Sequence, residues 1–318
     1  MKTLLSCITL CMIVANSGFA GDEGDEKLVI HLPGRGKAEL SASSEKVGRI
    51  ARAVLVGFWD KNRLEGLSSV RIYPVTTAAA GRKTVGIDSK AFTVKIDSET
   101  GCLVSYMDHY LEHLGIPEGR LDEAIANVRA MDLPRLCGWA DYGIEFSYEL
   151  ARTRLSSRRG TISFPRVHGG HEFLNESFTV HMRETAAGFE LVAIGSNISF
   201  MQPAPSSIKV TAEEAKKRFE ENILATPYVS RQMADMKEAQ DLKVVEGSIR
   251  VLGEEPVYLH ENEFLQTGEY GPRTGEIRLA YLCTVRLIGK QVTYDIVGYV
   301  DAENKTLIGG SDFLRADR

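Results

Sequence analysis

Basic residues are not in excess in this sequence, and long apolar runs are absent from most of it. The 318 residues include 38 Lys plus Arg against 43 Asp plus Glu, which gives a net charge of −5. Such a chain has no positive field to hold a phosphate backbone, so we expect no nucleic-acid partner. After the first twenty residues no stretch approaches about 18 apolar residues, so we expect no transmembrane segment in the mature chain.

Cysteine is also scarce, with 5 in the whole sequence. Cys7 and Cys11 lie in the N-terminal segment described next, and the rest of the chain keeps Cys102, Cys137 and Cys283. Three thiols form at most one bridge, so no disulfide framework is indicated. Their spacing also fits no zinc ribbon or finger. Two interpretations stay open: all three are small apolar residues in half-buried strands, or Cys102 and Cys137 form a single bridge.

The first twenty residues have the features of a cleavable signal peptide. Lys2 supplies a positive start, Leu4–Ala15 is an apolar run too short to span a bilayer, and small residues precede the predicted cleavage after Ala20. We therefore expect a secreted or periplasmic protein that begins with an acidic, flexible leader over 21–35. A retained N-terminal anchor is the alternative.

One hairpin pattern occurs three times in the chain. FTVKIDSETGCLV at 92–104 aligns without a gap to IVGYVDAENKTLI at 296–308, and FTVHMRETAAGFELV at 178–192 needs a two-residue insertion. Alternating apolar residues on both sides of a polar turn predict a β-hairpin with one buried face. Asp97 and Asp301 are predicted turn residues, because an aspartate can accept hydrogen bonds from the main chain two residues on.

Helical patterns precede these hairpins. Apolar residues recur at helical spacing over 47–58 and 121–131, and Thr211–Glu214 spells a capping box that opens a third helix. We expect Pro227 to stop the third helix. Further strand-like runs are predicted at Val70–Thr77, Thr161–Val167, Leu242–Val251 and Arg278–Leu287.

The pattern predicts an α+β fold of tandem units, each with one helix packed on an antiparallel sheet. Pro- and Gly-containing breaks at 115–117 and 203–207 suggest the boundaries. The predicted units are 36–115, 116–202 and 203–318.

The motifs of the later units resemble the PepSY and FTP modules found in thermolysin-type protease propeptides and in many exported bacterial proteins. VTAEEAKKRF at 210–219 and the strands at 278–310 are similar to PepSY modules, and the segment 162–182, with its turn at Gly169 and Gly170, is similar to FTP modules. The second hairpin departs from the pattern, because Arg183 stands where the other two have the turn aspartate. The resemblance implies cystatin-like units that bind or inhibit proteases without being catalytic.

The string HYLEH at 109–113 offers a different function. On a helix, His109 and His113 would lie one turn apart and could bind zinc, with Glu112 polarising a zinc-bound water, as in inverted zinc peptidases. A strand ending near Met107 and the break at 115–117 leave barely two turns for such a helix. We therefore expect a polar connector at this place, and keep a zinc-dependent hydrolase as the alternative function.

Surface recognition by the last sheet is the predicted mode of action. The candidate binding residues are Tyr294, Tyr299 and Arg286, which follow the strand pattern of the third unit. A sheet face or an open strand edge would contact a protein or peptide partner, and a peptidase is one candidate. No cofactor and no catalytic residue are predicted under this interpretation.

Overall fold

The structure, a computed structural model, is a mixed α+β protein with mostly antiparallel strands and few helices. No helix within the described ranges is long and apolar enough to cross a membrane. The predicted signal peptide at 1–20 and the predicted helix at 47–58 lie outside the described residues. Those residues are 27–31, 37–41, 70–78, 82–89, 92–97, 99–109, 116, 119–156, 159–186, 188–240, 243–269, 275–289 and 292–316.

The chain divides into two compact units. Unit 1 contains the chain up to His168 together with Asn175–Phe200, and unit 2 contains Gly169–Leu174 together with Met201–Arg318. The predicted segment 203–318 thus falls in unit 2. Most of the two preceding predicted segments falls in unit 1, and the division into three units stays a prediction.

Two short strands come first. Lys27–His31 (β1) and Lys37–Ser41 (β2) pair with each other in an antiparallel ladder. Part of the stretch predicted as a flexible leader, 21–35, is therefore a strand.

The strands of unit 1 are nearly all joined by antiparallel ladders in the order β3-β4-β5-β6-β11-β10-β9, with β7 and β8 both pairing with β9. The hairpins predicted at 92–104 and 178–192 correspond to β5–β6 and β10–β11. The first residues of β10 belong to unit 2. The strands are Val70–Ala78 (β3), Arg82–Ser89 (β4), Phe92–Asp97 (β5), Leu103–Asp108 (β6), Glu145–Phe146 (β7), Arg152–Ser156 (β8), Arg159–His168 (β9), His171–Thr185 (β10) and Gly188–Ser196 (β11).

Helix Leu121–Ala130 (α1) lies close to the predicted range 121–131 and buries Ala124 and Val128 in the core of unit 1. A short helix, Leu133–Leu136 (α2), and a 3-10 turn at Ala140–Tyr142 follow. Between them lies Trp139, which is fully buried and donates its indole N–H to the Leu103 carbonyl at 2.9 Å. This hydrogen bond satisfies the polar end of a large apolar side chain, so the ring can fill the core.

Unit 2 is built around the long strand β15. Its odd-numbered residues from Ile277 to Leu287 are all buried, as the period of two requires for a strand with one core face. One edge of β15 pairs with β16, which pairs with β17 on its far side. The other edge of β15 pairs with three short strands, β14, β13 and β12. These strands are Lys243–Val244 (β12), Arg250–Val251 (β13), Val257–His260 (β14), Ile277–Ile288 (β15), Val292–Asp301 (β16) and Leu307–Ala316 (β17).

The capping box of unit 2 is confirmed. Helix Ala212–Asn222 (α3) begins after Thr211, whose hydroxyl accepts the Glu214 N–H, while the Glu214 carboxylate accepts the Thr211 N–H at 2.9 Å. The buried side chains Ala215 and Phe219 face the core side of β15. Local sequence therefore fixes where the helix starts, and its apolar stripe fixes which side packs on the sheet.

The prediction that Pro227 stops the third helix was wrong. Helix α3 ends at Asn222, a 3-10 turn covers Ile223–Ala225, and Pro227 is the first residue of another helix, Pro227–Gln240 (α4). A proline fits there because the first helical N–H needs no partner within the helix. A further short helix is Phe264–Thr267 (α5).

The strand-like run predicted at Leu242–Val251 is also corrected. It contains two separate two-residue strands, β12 and β13, with a turn at Glu246 and Gly247 between them. Gly247 has φ of +69°, which a glycine adopts without steric cost. The turn separates the two short ladders that β12 and β13 form with β15.

Candidate functional site

A cleft of about 390 Å³ lies in unit 2, on the sheet face away from α3. Cys283, Val285 and Leu287 of β15 pack in the core with α3, so the alternating residues Thr284 and Arg286 point to the other face. The segment that carries β12 and β13 forms the opposite wall. The cleft is lined by Val245, Glu246, Gly247, Ser248, Arg250, Leu252, Thr284, Arg286, Asp295 and Val297.

An ion pair on the strands forms one part of the cleft. Arg286 and Asp295 are directly opposite each other in the β15–β16 ladder, and the guanidinium donates to both carboxylate oxygens, from Nε at 2.6 Å and from Nη2 at 2.9 Å. The carboxylate raises the pKa of Arg286 above its ordinary value. The Arg286 side chain is 41% exposed, so a positive group fixed in orientation faces the cleft.

The opposite wall is held onto β15 by main-chain contacts. Val245 N–H donates to the Arg286 carbonyl at 2.9 Å, and the Ser248 hydroxyl accepts the Arg286 N–H at 3.1 Å. Ser248 N–H closes the turn on the Val245 carbonyl at 3.1 Å. The same residue, Arg286, thus anchors the turn with its backbone and lines the cleft with its side chain.

Arg250 is the second cation of the cleft. Its side chain is exposed, and within the part of the chain that the structure describes no carboxylate lies at ion-pair distance from it. A guanidinium presents a planar set of donors that matches a carboxylate. The cleft can therefore hold an acidic group at Arg250 and apolar groups against Val245, Leu252 and Val297.

The other two predicted binding residues do not line the cleft. Tyr294 is 8% exposed and lies in the core with α3, where burial and, to a lesser extent, Asp312 raise its pKa. Tyr299 is 7% exposed and packs with Val297 and Leu259 on the opposite face. Of the three predicted binding residues, the structure places only Arg286 in the cleft.

Sequence reasoning missed Arg250, Ser248 and Asp295. A signal for Asp295 was present, because a hairpin that pairs Thr293 with Ile288 also sets Asp295 against Arg286, and opposite charges at paired positions stabilise a ladder. Arg250 gave no such signal. Its position depends on the turn between β12 and β13, which the sequence pattern merged into one strand.

The predicted turn residues lie at the ends of strands. Asp97 Oδ1 accepts the N–H groups of Glu99 at 3.0 Å and Thr100 at 2.8 Å. Asp301 Oδ1 accepts those of Glu303 at 2.8 Å and Asn304 at 3.0 Å. The two repeats therefore use the same local contact.

The third interaction differs between the two turns, because Asp97 Oδ1 also accepts the Thr100 hydroxyl at 2.9 Å, whereas Asp301 pairs with a cation. Its Oδ2 lies 2.7 Å from Nε of Arg278 in an ion pair, and its side chain is 1% exposed. The buried Asp301 carboxylate thus has a charge partner, the partly exposed Arg278, as well as two main-chain donors.

Gly169 and Gly170 connect β9 and β10. Their φ angles are +55° and +87°, the combination that a two-residue hairpin turn requires at both positions. Any residue with a Cβ would be strained at either place. The glycine pair is accounted for by turn geometry.

His109 follows directly after β6 and is exposed, with its Nε2 3.0 Å from the Thr93 hydroxyl. His113, the second predicted zinc ligand, and Glu112, predicted to polarise the zinc-bound water, lie outside the described residues. Among the described residues no three His, Cys, Asp or Glu side chains cluster as metal ligands would. Cys102, Cys137 and Cys283 are all buried and unbridged.

Comparisons with known proteins include a weak structural similarity. No protein-family model and no curated protein matches the chain. The chain is similar to the Bacillus megaterium YpeB C-terminal domain at 11% sequence identity and a TM-score of 0.40, covering 86% of this chain and 98% of that one. Membership of the PepSY and FTP families accordingly stays a prediction from the sequence motifs.

Proposed function

We propose that this protein is an exported, non-catalytic binding module of tandem PepSY/FTP-like, cystatin-like units. Its partner is a protein that presents a peptide segment to the cleft between β15 and the Val245–Leu252 wall. The observation that carries this proposal is the cleft itself, in which Arg250 has no acidic partner among the described residues.

Arg250 makes the cleft suited to a peptide with an acidic group. A volume of about 390 Å³ lies in the range of sites that hold ligands. Arg250 supplies donors for a carboxylate, while Val245 and Leu252 offer apolar contact for a neighbouring side chain. Because Arg286 is already bonded to Asp295, it orients the site rather than competing for the same carboxylate.

A capture experiment that compares binding affinities tests this site. Residues 21–318 would be immobilised as wild type, as Arg250→Glu and as Lys217→Glu, and exposed to the exported proteins of the source cells. Lys217 is an exposed residue of α3, so its variant carries the same charge change away from the cleft. We expect a partner whose affinity falls at least about tenfold with Arg250→Glu only, the loss of a charge-assisted hydrogen bond.

A partner that binds wild type and Arg250→Glu equally well would contradict the cleft as the site. Retention of no partner by any of the three proteins would contradict the binding function. Synthetic peptides with the partner's sequence would then be compared with a free and with an amidated C-terminus. This comparison distinguishes recognition of a chain terminus from recognition of an internal acidic side chain.

The resemblance to protease propeptides leads us to propose a peptidase as the partner class. Inhibition of exported peptidases, including thermolysin-type enzymes, would be measured with increasing amounts of the mature protein. We expect saturable inhibition that Arg250→Glu weakens and Lys217→Glu leaves unchanged. Binding without inhibition would support the binding module and contradict its proposed role as a peptidase regulator.

Metal analysis distinguishes the binding module from a zinc hydrolase. The hydrolase alternative requires stoichiometric zinc that is lost on replacing His109 or His113. We expect the purified mature protein to contain zinc well below one equivalent, with no change in His109→Ala. Stoichiometric zinc together with peptide hydrolysis that depends on Glu112 would overturn the proposed function.

A further inference from the structure

Cys102 and Cys137 are brought together in unit 1 by a main-chain hydrogen bond. Leu103 N–H, next to Cys102, donates to the Cys137 carbonyl at 2.9 Å. In a trans peptide the preceding Cα lies on the same side of the C–N bond as the N–H, so it too is close to the acceptor oxygen. Standard bond lengths then limit the separation of the two Cα atoms to roughly 6 Å, within the span of a disulfide.

The side chain of Cys102 points toward the segment that contains Cys137. Its Sγ lies 3.2 Å from the Gly138 carbonyl oxygen, one residue beyond Cys137. Burial raises the pKa of the Cys137 thiol, and the proximity of Cys102 adds to the rise because two thiolates would repel each other. Both residues are at most 1% exposed.

Two further hydrogen bonds hold the same two segments in place. The Trp139 indole donates to the Leu103 carbonyl at 2.9 Å, and the Tyr142 hydroxyl donates to the Thr100 carbonyl at 3.0 Å. The β5–β6 turn and the end of α2 are therefore fixed against each other independently of any sulfur–sulfur bond. Such a preformed site needs little backbone movement to accept a disulfide.

We propose that Cys102 and Cys137 form a disulfide when the chain folds in an oxidising compartment. One thiolate attacks a small-molecule disulfide and releases one thiol, and the second cysteine then displaces the other as its sulfur bonds to the first. The chain loses two protons and two electrons, and the donor disulfide is reduced to two thiols. Because both cysteines are buried in the folded protein, the exchange takes place before the core of unit 1 closes.

Cys283 provides an internal control. It lies in β15 of unit 2, where burial raises its pKa to about 12. Within the described residues it is packed among apolar side chains of the core under α3. It should stay a free thiol under the same conditions.

Counting thiols after refolding tests the proposal. Unfolded residues 21–318 would be refolded with a mixture of reduced and oxidised glutathione, then denatured, alkylated with iodoacetamide and analysed by mass spectrometry. We expect one alkylated cysteine, Cys283, and a proteolytic fragment in which Cys102 is linked to Cys137. Three alkylated cysteines, or a link that involves Cys283, would overturn the proposal.

A second measurement uses thermal stability and does not depend on one variant folding well. A disulfide that closes the loop from Cys102 to Cys137 should raise the midpoint of thermal unfolding by roughly 10 °C. Reductant should therefore lower the midpoint of the wild type by that amount. Cys283→Ser should keep this sensitivity to reductant, whereas Cys102→Ser and Cys137→Ser should lose it. Equal midpoints of oxidised and reduced wild type would contradict a stabilising bridge.

Discussion

At the scale of single residues, Gly298 shows how closely α3 approaches the sheet. A Cβ on Gly298 would lie 2.4 Å from Cε2 of Phe219, which is fully buried and cannot move into solvent. We expect Gly298→Ala to lower the free energy of unfolding by about 1–3 kcal/mol through overpacking. Urea unfolding followed by fluorescence measures this loss.

Gly195 is the matched control for Gly298. It also lies within a strand, β11, but nothing lies within 4 Å of the position of its added Cβ. Gly195→Ala should therefore be neutral or slightly stabilising, because alanine restricts the unfolded chain more than glycine does. Equal losses in the two variants would show that Phe219 does not limit the space at Gly298.

The two turn aspartates should respond differently to the same substitution. Asparagine keeps Oδ1 as the acceptor of both turn N–H groups, so Asp97→Asn should cost less than about 1 kcal/mol of unfolding free energy. At Asp301 the new amide would face Arg278 with a donor in place of Oδ2. We expect Asp301→Asn to cost about 2–3 kcal/mol, measured by urea unfolding.

A double-mutant cycle with Arg278→Met tests the cause of that difference. If the ion pair is responsible, Asp301→Asn should cost clearly less in the Arg278→Met background than in the wild type. Additive effects would assign the loss at Asp301 to the turn alone.

At the scale of elements, the start of α3 makes the free energy of unfolding depend on pH. The Lys305 side chain and the N–H and hydroxyl of Thr211 lower the pKa of Glu214 from 4.5 to about 2. A lowered folded-state pKa means that the carboxylate stabilises the fold above about pH 4.5, and that this contribution is lost as the pH falls toward 2. We expect Glu214→Gln to weaken the pH dependence of unfolding in this range.

Urea unfolding between about pH 6 and pH 2.5 measures this dependence. Glu213→Gln is the control, because Glu213 stands in the same first turn of α3 but does not take part in the capping box. The Glu213 variant should follow the wild-type curve in shape. A Glu214→Gln curve parallel to the wild type would mean that the cap is not linked to acid unfolding.

Local signals predicted some elements well and others not. The capping box at Thr211 and the stripe over 121–131 were predicted because each depends on residues within one or two turns. Pro227 was misinterpreted because proline is compatible with both the end and the start of a helix. Whether a helix ends or begins at Pro227 is decided by how the residues after it pack in the core.

At the scale of the whole molecule, the site depends on contacts that the sequence pattern does not encode. Arg286 could be predicted to lie on a strand, but strand periodicity alone does not say which face is filled by neighbouring elements. Tyr294 and Tyr299 differ by five positions and so point to opposite faces, and both are buried. The cleft exists because a turn between two short strands folds over one end of β15, which is a long-range contact.

Export is the last property of the whole chain that we predict. The proposed processing after Ala20 requires a small residue there, so wild-type protein expressed with its natural leader should be recovered with Gly21 at its N-terminus. Ala20→Arg should block cleavage and leave the leader attached, whereas Gly21→Ala, on the other side of the bond, should be processed normally. Intact-mass measurement and N-terminal sequencing distinguish these products. A wild-type protein that keeps Met1 and stays with the membrane would instead support the retained anchor, and the cysteines of the leader would then remain in the exported chain.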